Sequence, residues 1–352
     1  MVEARKTKHE RTWQTGAAER SHRGERGLTC ERCSGKLLYD GENLSCLMCG
    51  FEPSEALVRR GRANPAEMLD ALVRFRSELA HCIESIGQKP MRGSPAEREL
   101  ASADTIEADA LSLVPPFAHQ SLFAAGHGLI ALARGLEPPA PEYGTWGVSS
   151  AVLQASGLTM WLLDSGVDHR DRALRALAVE AHELSAESAI VAGGALGETS
   201  LDGPFANAIA TNQSRAAQIA TRSGSGPVSL PMAKELAESL DATTEYNLFS
   251  AIVAGRPWAL LQTTALASGL GASPSSSVVA IQVAASASWY AQATWAYARW
   301  MQPAPAESLC GTLERGYDGM CLPDDERTRF WRRLPAPSGR AGQAPLRSMP
   351  LG

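Results

Sequence analysis

The chain of 352 residues lacks the short motifs that identify the common enzyme classes. It has no P-loop, no G-x-G-x-x-G turn after a strand, no G-x-S-x-G nucleophile elbow and no H-E-x-x-H metal pair. It also lacks a signal peptide, so we expect a protein of the reducing cytoplasm. The net charge of −5 excludes a nucleic-acid-binding polycation as a description of the whole chain. No enzymatic activity follows from these features.

Charge itself is absent over one long stretch, from Pro257 to Ala298. A membrane-spanning helix needs about 20 strongly apolar residues. This stretch is interrupted by Gly269, Gly271 and Pro274, and its second half is rich in Ala, Ser, Gln and Thr. We therefore expect no membrane partner, and predict a helix that is buried on most of its circumference inside a bundle.

Of the seven cysteines, four stand in two C-x2-C pairs with twelve residues between them: Cys30, Cys33, Cys46 and Cys49. Two residues between cysteines let a tight turn direct both sulfurs at one ion, and two such turns complete a tetrahedron around Zn²⁺. Residues 36–39 and 44–47 are predicted strands, joined by the hairpin signal Asp40-Gly41. The alternatives are a disulfide pair or four unrelated thiols.

This segment resembles the zinc-ribbon family over residues 28–52. The resemblance implies a β hairpin held by a structural Zn²⁺, because four thiolates leave no open coordination position. A basic connector follows at 53–63, with Arg59, Arg60 and Arg62, and a basic N-terminus precedes it at 1–27. We expect the N-terminus to be disordered.

Beyond residue 63 the apolar spacing is helical and no β alternation occurs. Asn64, Ser94 and Asp168 stand at N-cap positions. The predicted helices are 64–86, one helix from Ser94 to before Pro115, and 119–134, 148–163, 169–191, 204–221, 231–240, 244–254, 257–268 and 275–301. The predicted fold class is thus a small N-terminal β zinc ribbon followed by an all-α bundle at 64–301. Residues 302–352 are expected to form a Pro- and Arg-rich tail, disordered in part.

One helix carries the candidate catalytic pair, Arg175 and His182, in the segment DHRDRALRALAVEAHELSAESAIV. The two residues are two turns apart and share a face beside the apolar stripe. Arg followed by His matches the loose motif of HEPN-type ribonucleases, and the body resembles HEPN-like bacterial proteins at 157–166 and 246–260. That resemblance implies a metal-independent ribonuclease or an inactive relative, although Ala176 stands where the family has a polar residue. The alternative is a solvated helix flank in which Asp171 pairs with Arg175.

Other residues admit two interpretations. His127 lies between two glycines and is expected to be a satisfied core histidine rather than part of a site. Glu78 and His81 lie one turn apart, but a di-metal bundle needs two such pairs, so we expect no second metal. The aromatic residues of the last long helix, Trp289, Tyr290, Trp295, Tyr297 and Trp300, predict core burial or a homodimer interface.

The tail segment RTRFWRRL interleaves Arg329, Arg332 and Arg333 with aromatic residues. Such a segment could stack on bases and pair with phosphates, or dock on the bundle. Together, these features favour a zinc-binding regulatory or adaptor protein that contacts nucleic acid or a protein partner through the four-cysteine segment and its basic flanks.

Overall fold

The computed structural model describes residues 37–39, 44–46, 65–137, 144–192, 202–256, 274–304 and 307–320. From Pro65 onward the described residues form an all-α body. The helices are α1 (Pro65–Ile86), α2 (Pro95–Ser102), α3 (Thr105–Leu111), α4 (Val114–Gly135), α5 (Gly144–Leu162), α6 (His169–Ala192), α7 (Asp202–Ser223), α8 (Ala233–Ser239), α9 (Thr243–Val253), α10 (Pro274–Met301) and α11 (Glu307–Gly319).

The predicted fold class is wrong in its β part. The strand residues within the described ranges are β1 (Leu37–Tyr39) and β2 (Leu44–Cys46), which pair antiparallel with Leu37 opposite Cys46. The pairing lies where a hairpin was predicted, but a ladder of three residues per strand is too short to be independently stable. The fold that the structure supports is therefore the helical body alone.

Helix α5 lies at the centre of the body, packed against α4, α8, α9 and α10. Helix α10 also contacts α1, α2 and α4, and α11 packs on the outer side of α1. A second pair, α6 and α7, joins the rest mainly through α3 and α4. The body is thus one bundle with a helix pair attached along one side.

The aromatic residues of α10 form the core, which confirms the first of their two predicted roles. Trp289, Tyr290 and Tyr297 are almost fully buried, and Trp295 and Trp300 are buried as well. Phe249 stands edge-on to Trp146 and Trp289, with ring centroids 4.7 and 5.6 Å apart. Edge-to-face packing of this kind adds about 0.5–1.5 kcal/mol beyond the buried area. The described part of the uncharged stretch, on α10, is therefore core. No helix among the described residues is long and apolar enough to span a membrane.

Two predicted helix boundaries are wrong, both for local reasons. The single helix predicted from Ser94 is divided at Asp104, which caps α3 and forms a reciprocal capping box with Glu107. Pro115 and Pro116, expected to end a helix, lie instead in the first turn of α4. Proline is tolerated there because the first turn has no intrahelical acceptor for its missing N–H.

The caps predicted at Ser94 and Asp168 are confirmed. Ser94 Oγ accepts a hydrogen bond from the N–H of Glu97, and Asp168 Oδ1 accepts from the N–H groups of Arg170 and Asp171. Helix α11 was not predicted, and it lies in the stretch assigned to the tail. The predicted cap Asn64 and the predicted helix 257–268 lie outside the described residues.

Candidate functional site

A cleft opens between α6, α7 and the segment 224–235, and we call it the α6–α7 cleft. Gly224 adopts φ +69° directly after α7, which lets the chain turn back across α6. The cleft has two chambers of about 620 and 610 Å³, and both are lined by Ser225, Pro227 and Val228. Volumes of this size fall within the range of small-molecule sites, and both chambers are open to solvent.

One chamber is apolar and the other is charged. The apolar chamber is lined by Leu174, Leu177 and Ala178 of α6 and by small residues of α7. The charged chamber is lined by Trp161, Asp171, Arg175 and Glu235. The helical period explains the division, because Leu174 and Arg175 lie on neighbouring faces of α6.

Arg175 is held firmly in the charged chamber, with its side chain 16% exposed. Its guanidinium carbon lies 5.0 Å from the centre of the Trp161 ring, and Nη1 donates to the carbonyl oxygen of Trp161. Nη1 also lies 3.6 Å from Asp164 Oδ2. Burial lowers the pKa of Arg175, and nearby Arg172 lowers it further, while Asp164 opposes both. The residue is thus a fixed and partly desolvated cation.

The carboxylates of the charged chamber are held by other contacts. Asp171 Oδ1 accepts a hydrogen bond of 2.8 Å from Ser225 Oγ, which ties α6 to the segment after α7. Glu235 Oε2 accepts one of 2.7 Å from the backbone N–H of Met232 at the start of α8. The charged chamber therefore contains one cation and two carboxylates whose positions are fixed by hydrogen bonds.

The structure does not bring the candidate catalytic pair together. His182 is exposed on α6, two turns beyond Arg175, and is not among the residues that line the α6–α7 cleft. The alternative prediction is wrong in its partner, because Arg175 pairs with Asp164 rather than with Asp171. Asp164 was missed because its proximity depends on the turn between α5 and α6, not on helical spacing.

The expectation for His127 is wrong, since its side chain is exposed and stands edge-on to Phe123 at 4.4 Å. The neighbouring glycines do permit close packing. A Cβ on Gly126 would lie 3.1 Å from the Tyr290 hydroxyl, and one on Gly128 would lie 2.5 Å from Val152 Cγ2. The glycines thus serve the helix contacts rather than a histidine site.

Glu78, the carboxylate of the possible second metal pair, faces Arg315 of α11 at 3.7 Å. Within the described ranges there is no group of three His, Cys, Asp or Glu side chains suited to a metal ion. The side chains of Cys30, Cys33, Cys46 and Cys49 lie outside the described residues. So do the basic contact candidates Arg59, Arg60, Arg62, Arg329, Arg332 and Arg333.

Sequence reasoning missed a buried ionic cluster that joins α2, α3, α6 and α10. Arg172, 2% exposed, donates from Nε to Glu99 Oε2 at 2.9 Å and from its Nη atoms to carbonyl oxygens of Leu162, Asp164 and Val167. Trp300 Nε1 also donates to Glu99, at 3.3 Å. All three nitrogens of Arg172 donate to protein oxygens, so this cluster positions helices rather than binding a ligand.

A second group of charged contacts surrounds the Glu107 carboxylate of α3. Its Oε1 accepts from Arg170 Nε at 2.9 Å, and its Oε2 accepts from the N–H of Asp104. His169 Nε2 lies 3.4 Å from Oε2 without hydrogen-bond geometry. Two of these residues, His169 and Arg170, open α6, so this contact fixes the helix that carries Arg175.

No family model, curated protein or solved structure matches the chain. The resemblances to zinc ribbons and HEPN-like proteins therefore stay predictions, and function has to be argued from the residues themselves.

Proposed function

We propose that the protein is a regulatory or adaptor protein in which the helical body binds a ligand and the N-terminal basic segments contact nucleic acid or a protein partner. The observation that carries the ligand-binding part is Arg175, fixed against Trp161 at the wall of the α6–α7 cleft. A rigid arginine beside an apolar surface is suited to binding a small ligand that carries an anionic group. His182, the other member of the candidate catalytic pair, is not a lining residue.

The four cysteines hold one structural Zn²⁺ in this proposal. Their spacing supports a four-thiolate site. The strand register supports it too, because Cys33 precedes β1, Cys49 follows β2, and Leu37 stands opposite Cys46. The chain thus enters β1 and leaves β2 at the same end of the ladder. Metal analysis of the purified chain should give one zinc per molecule, reduced by Cys46→Ser. A full zinc content in that variant, or none in the wild type, contradicts the site.

The contact with nucleic acid is assigned to Arg59, Arg60 and Arg62 beside the cysteines. Phosphate contacts of this kind weaken steeply as salt rises, because bound counterions are released. We expect micromolar-order binding at low salt that Arg59→Glu with Arg60→Glu weakens severalfold, whereas Arg315→Glu on α11 leaves it unchanged. If the protein shifts neither DNA nor RNA at low salt, the nucleic-acid contact is contradicted.

A HEPN-like ribonuclease, or its inactive relative, is the second candidate. It is favoured by the exposure of His182 on the helix that carries Arg175. In this version a second protomer would complete the site. The cleavage assay that separates the two candidates is given in the Discussion.

A further inference from the structure

The charged chamber of the α6–α7 cleft has unused hydrogen-bonding capacity of both signs. Nη1 of Arg175 is occupied by Trp161 and Asp164, but neither Nε nor Nη2 has a hydrogen-bond partner among the described residues. Asp171 Oδ1 accepts a hydrogen bond from Ser225 Oγ, whereas Oδ2 has no hydrogen-bond donor among the described residues. Polar groups of a half-buried wall gain most from a ligand that pairs with them.

The spacing of these two groups limits what can pair with both. Asp171 and Arg175 are four residues apart on α6, so their Cβ atoms are separated by roughly 6 Å. Asp171 raises the pKa of Arg175 and so offsets part of the effect of burial. A ligand that carries only an anion would leave the Asp171 carboxylate beside it, and a ligand that carries only an amine would meet the Arg175 cation.

We propose that the α6–α7 cleft binds a small zwitterion with an apolar side chain, of the α-amino-acid class. The ligand carboxylate pairs with the free edge of Arg175, and its ammonium group pairs with Asp171. Both groups sit on one carbon, a separation that suits the single turn between the two residues. The side chain enters the apolar chamber between Leu174, Ala178 and Val228.

The lining of both chambers explains why an aliphatic or aromatic side chain is expected. Ser225, Pro227 and Val228 line both chambers, so the two chambers are adjacent and share one wall. Burial of apolar ligand atoms against Leu174 and Val228 supplies affinity, while the charged pair supplies orientation. The inference rests on the proposed role of the body as a ligand-binding unit.

The test compares leucine with two analogues that each lack one charge, by calorimetric titration of the full chain. We expect leucine to bind, and 4-methylpentanoate and 3-methylbutylamine to bind at least about tenfold more weakly, because each leaves one charged wall group unpaired. Asp171→Asn should remove the preference for leucine over 4-methylpentanoate. Arg175→Gln should remove its preference over 3-methylbutylamine. Arg315→Gln, on α11 and 68% exposed, should leave both preferences unchanged.

Two outcomes overturn the inference. One is a wild type that binds either analogue as tightly as leucine, and the other is no binding of leucine or phenylalanine up to about 10 mM, weaker than the usual range of small-ligand affinities. If a variant fails to fold, the wild-type preferences alone decide. Zinc content and nucleic-acid binding are measured on the same preparation, so a failure confined to leucine leaves the four-cysteine part of the proposed function intact.

Discussion

Arg172 of α6 and Glu99 of α2 form a buried ion pair in which Nε lies 2.9 Å from Oε2, between residues 73 positions apart in the chain. Arg172 also stacks over Trp300 of α10, 5.6 Å from the ring centre. One side chain thus links the helix pair α6–α7 to the core of the bundle. Its neighbour Arg175, three residues later, lies in the α6–α7 cleft.

Removal of the Arg172 side chain should destabilise the protein strongly. Arg172→Ala leaves the Glu99 carboxylate without its charged partner, with only the Trp300 Nε1 donor, and removes the side-chain donor to three carbonyl oxygens. Loss of one member of a buried pair costs about 3–5 kcal/mol. The measurement is the free energy of unfolding in urea. The control is Arg215→Ala, which removes the ion pair between Arg215 and the 58% exposed side chain of Asp109. Ion pairs at the surface contribute only about 0–1 kcal/mol. Equal losses in the two variants would show that the cluster does not hold the helices together.

Two glycines of α5 should respond in opposite ways to alanine. A Cβ on Gly157 would lie 2.6 Å from the backbone oxygen of Leu236, so Gly157→Ala must push α8 away. Gly147 has nothing within 4 Å of the same position, and Gly147→Ala should stabilise the helix by up to about 1 kcal/mol. Melting temperatures check this, and a stabilised Gly157→Ala would contradict the close contact of α5 and α8.

Stability should fall as pH rises above the ordinary tyrosine range. Burial raises the pKa of Tyr297, whose hydroxyl donates to the Gly87 carbonyl oxygen at 2.6 Å, and burial raises that of Tyr290 as well. A tyrosine of the unfolded chain loses its proton near pH ~10. Above that pH the free energy of unfolding decreases, because the unfolded chain releases these protons while the buried phenols keep them.

Tyr297→Phe should therefore lower stability at neutral pH by about 1 kcal/mol, through the lost hydrogen bond. It should also make the decline above pH ~10 shallower, because one raised pKa is removed. Urea unfolding at several pH values measures both effects. Parallel declines in wild type and variant would mean that Tyr297 titrates alike in the folded and unfolded states.

The ribonuclease alternative has a direct assay. Because His182 lies outside the α6–α7 cleft, we expect wild type and His182→Ala to behave alike on RNA without added metal. Cleavage by the wild type that disappears in both His182→Ala and Arg175→Gln would replace the adaptor proposal. The folded state of each variant is checked by its melting temperature.

The sequence alone determined where most helices lie, because apolar spacing and caps act within a few residues. Ser94 and Asp168 indicate helix starts because each side chain accepts a hydrogen bond from the backbone N–H three residues later. The aromatic residues of α10 indicate that this helix is buried in the core. The capping box of Asp104 and Glu107 was equally local and could have been found.

Only the tertiary structure decided which charges meet. Arg172 pairs with Glu99 and Arg175 with Asp164, although helical spacing pointed to Asp171, because the turn after α5 and the packing of α2 bring those carboxylates close. The same applies to the α6–α7 cleft, whose walls come from parts of the chain that approach only when α7 folds back on α6. Local patterns specify elements, while long-range packing specifies the neighbours from which a site is made.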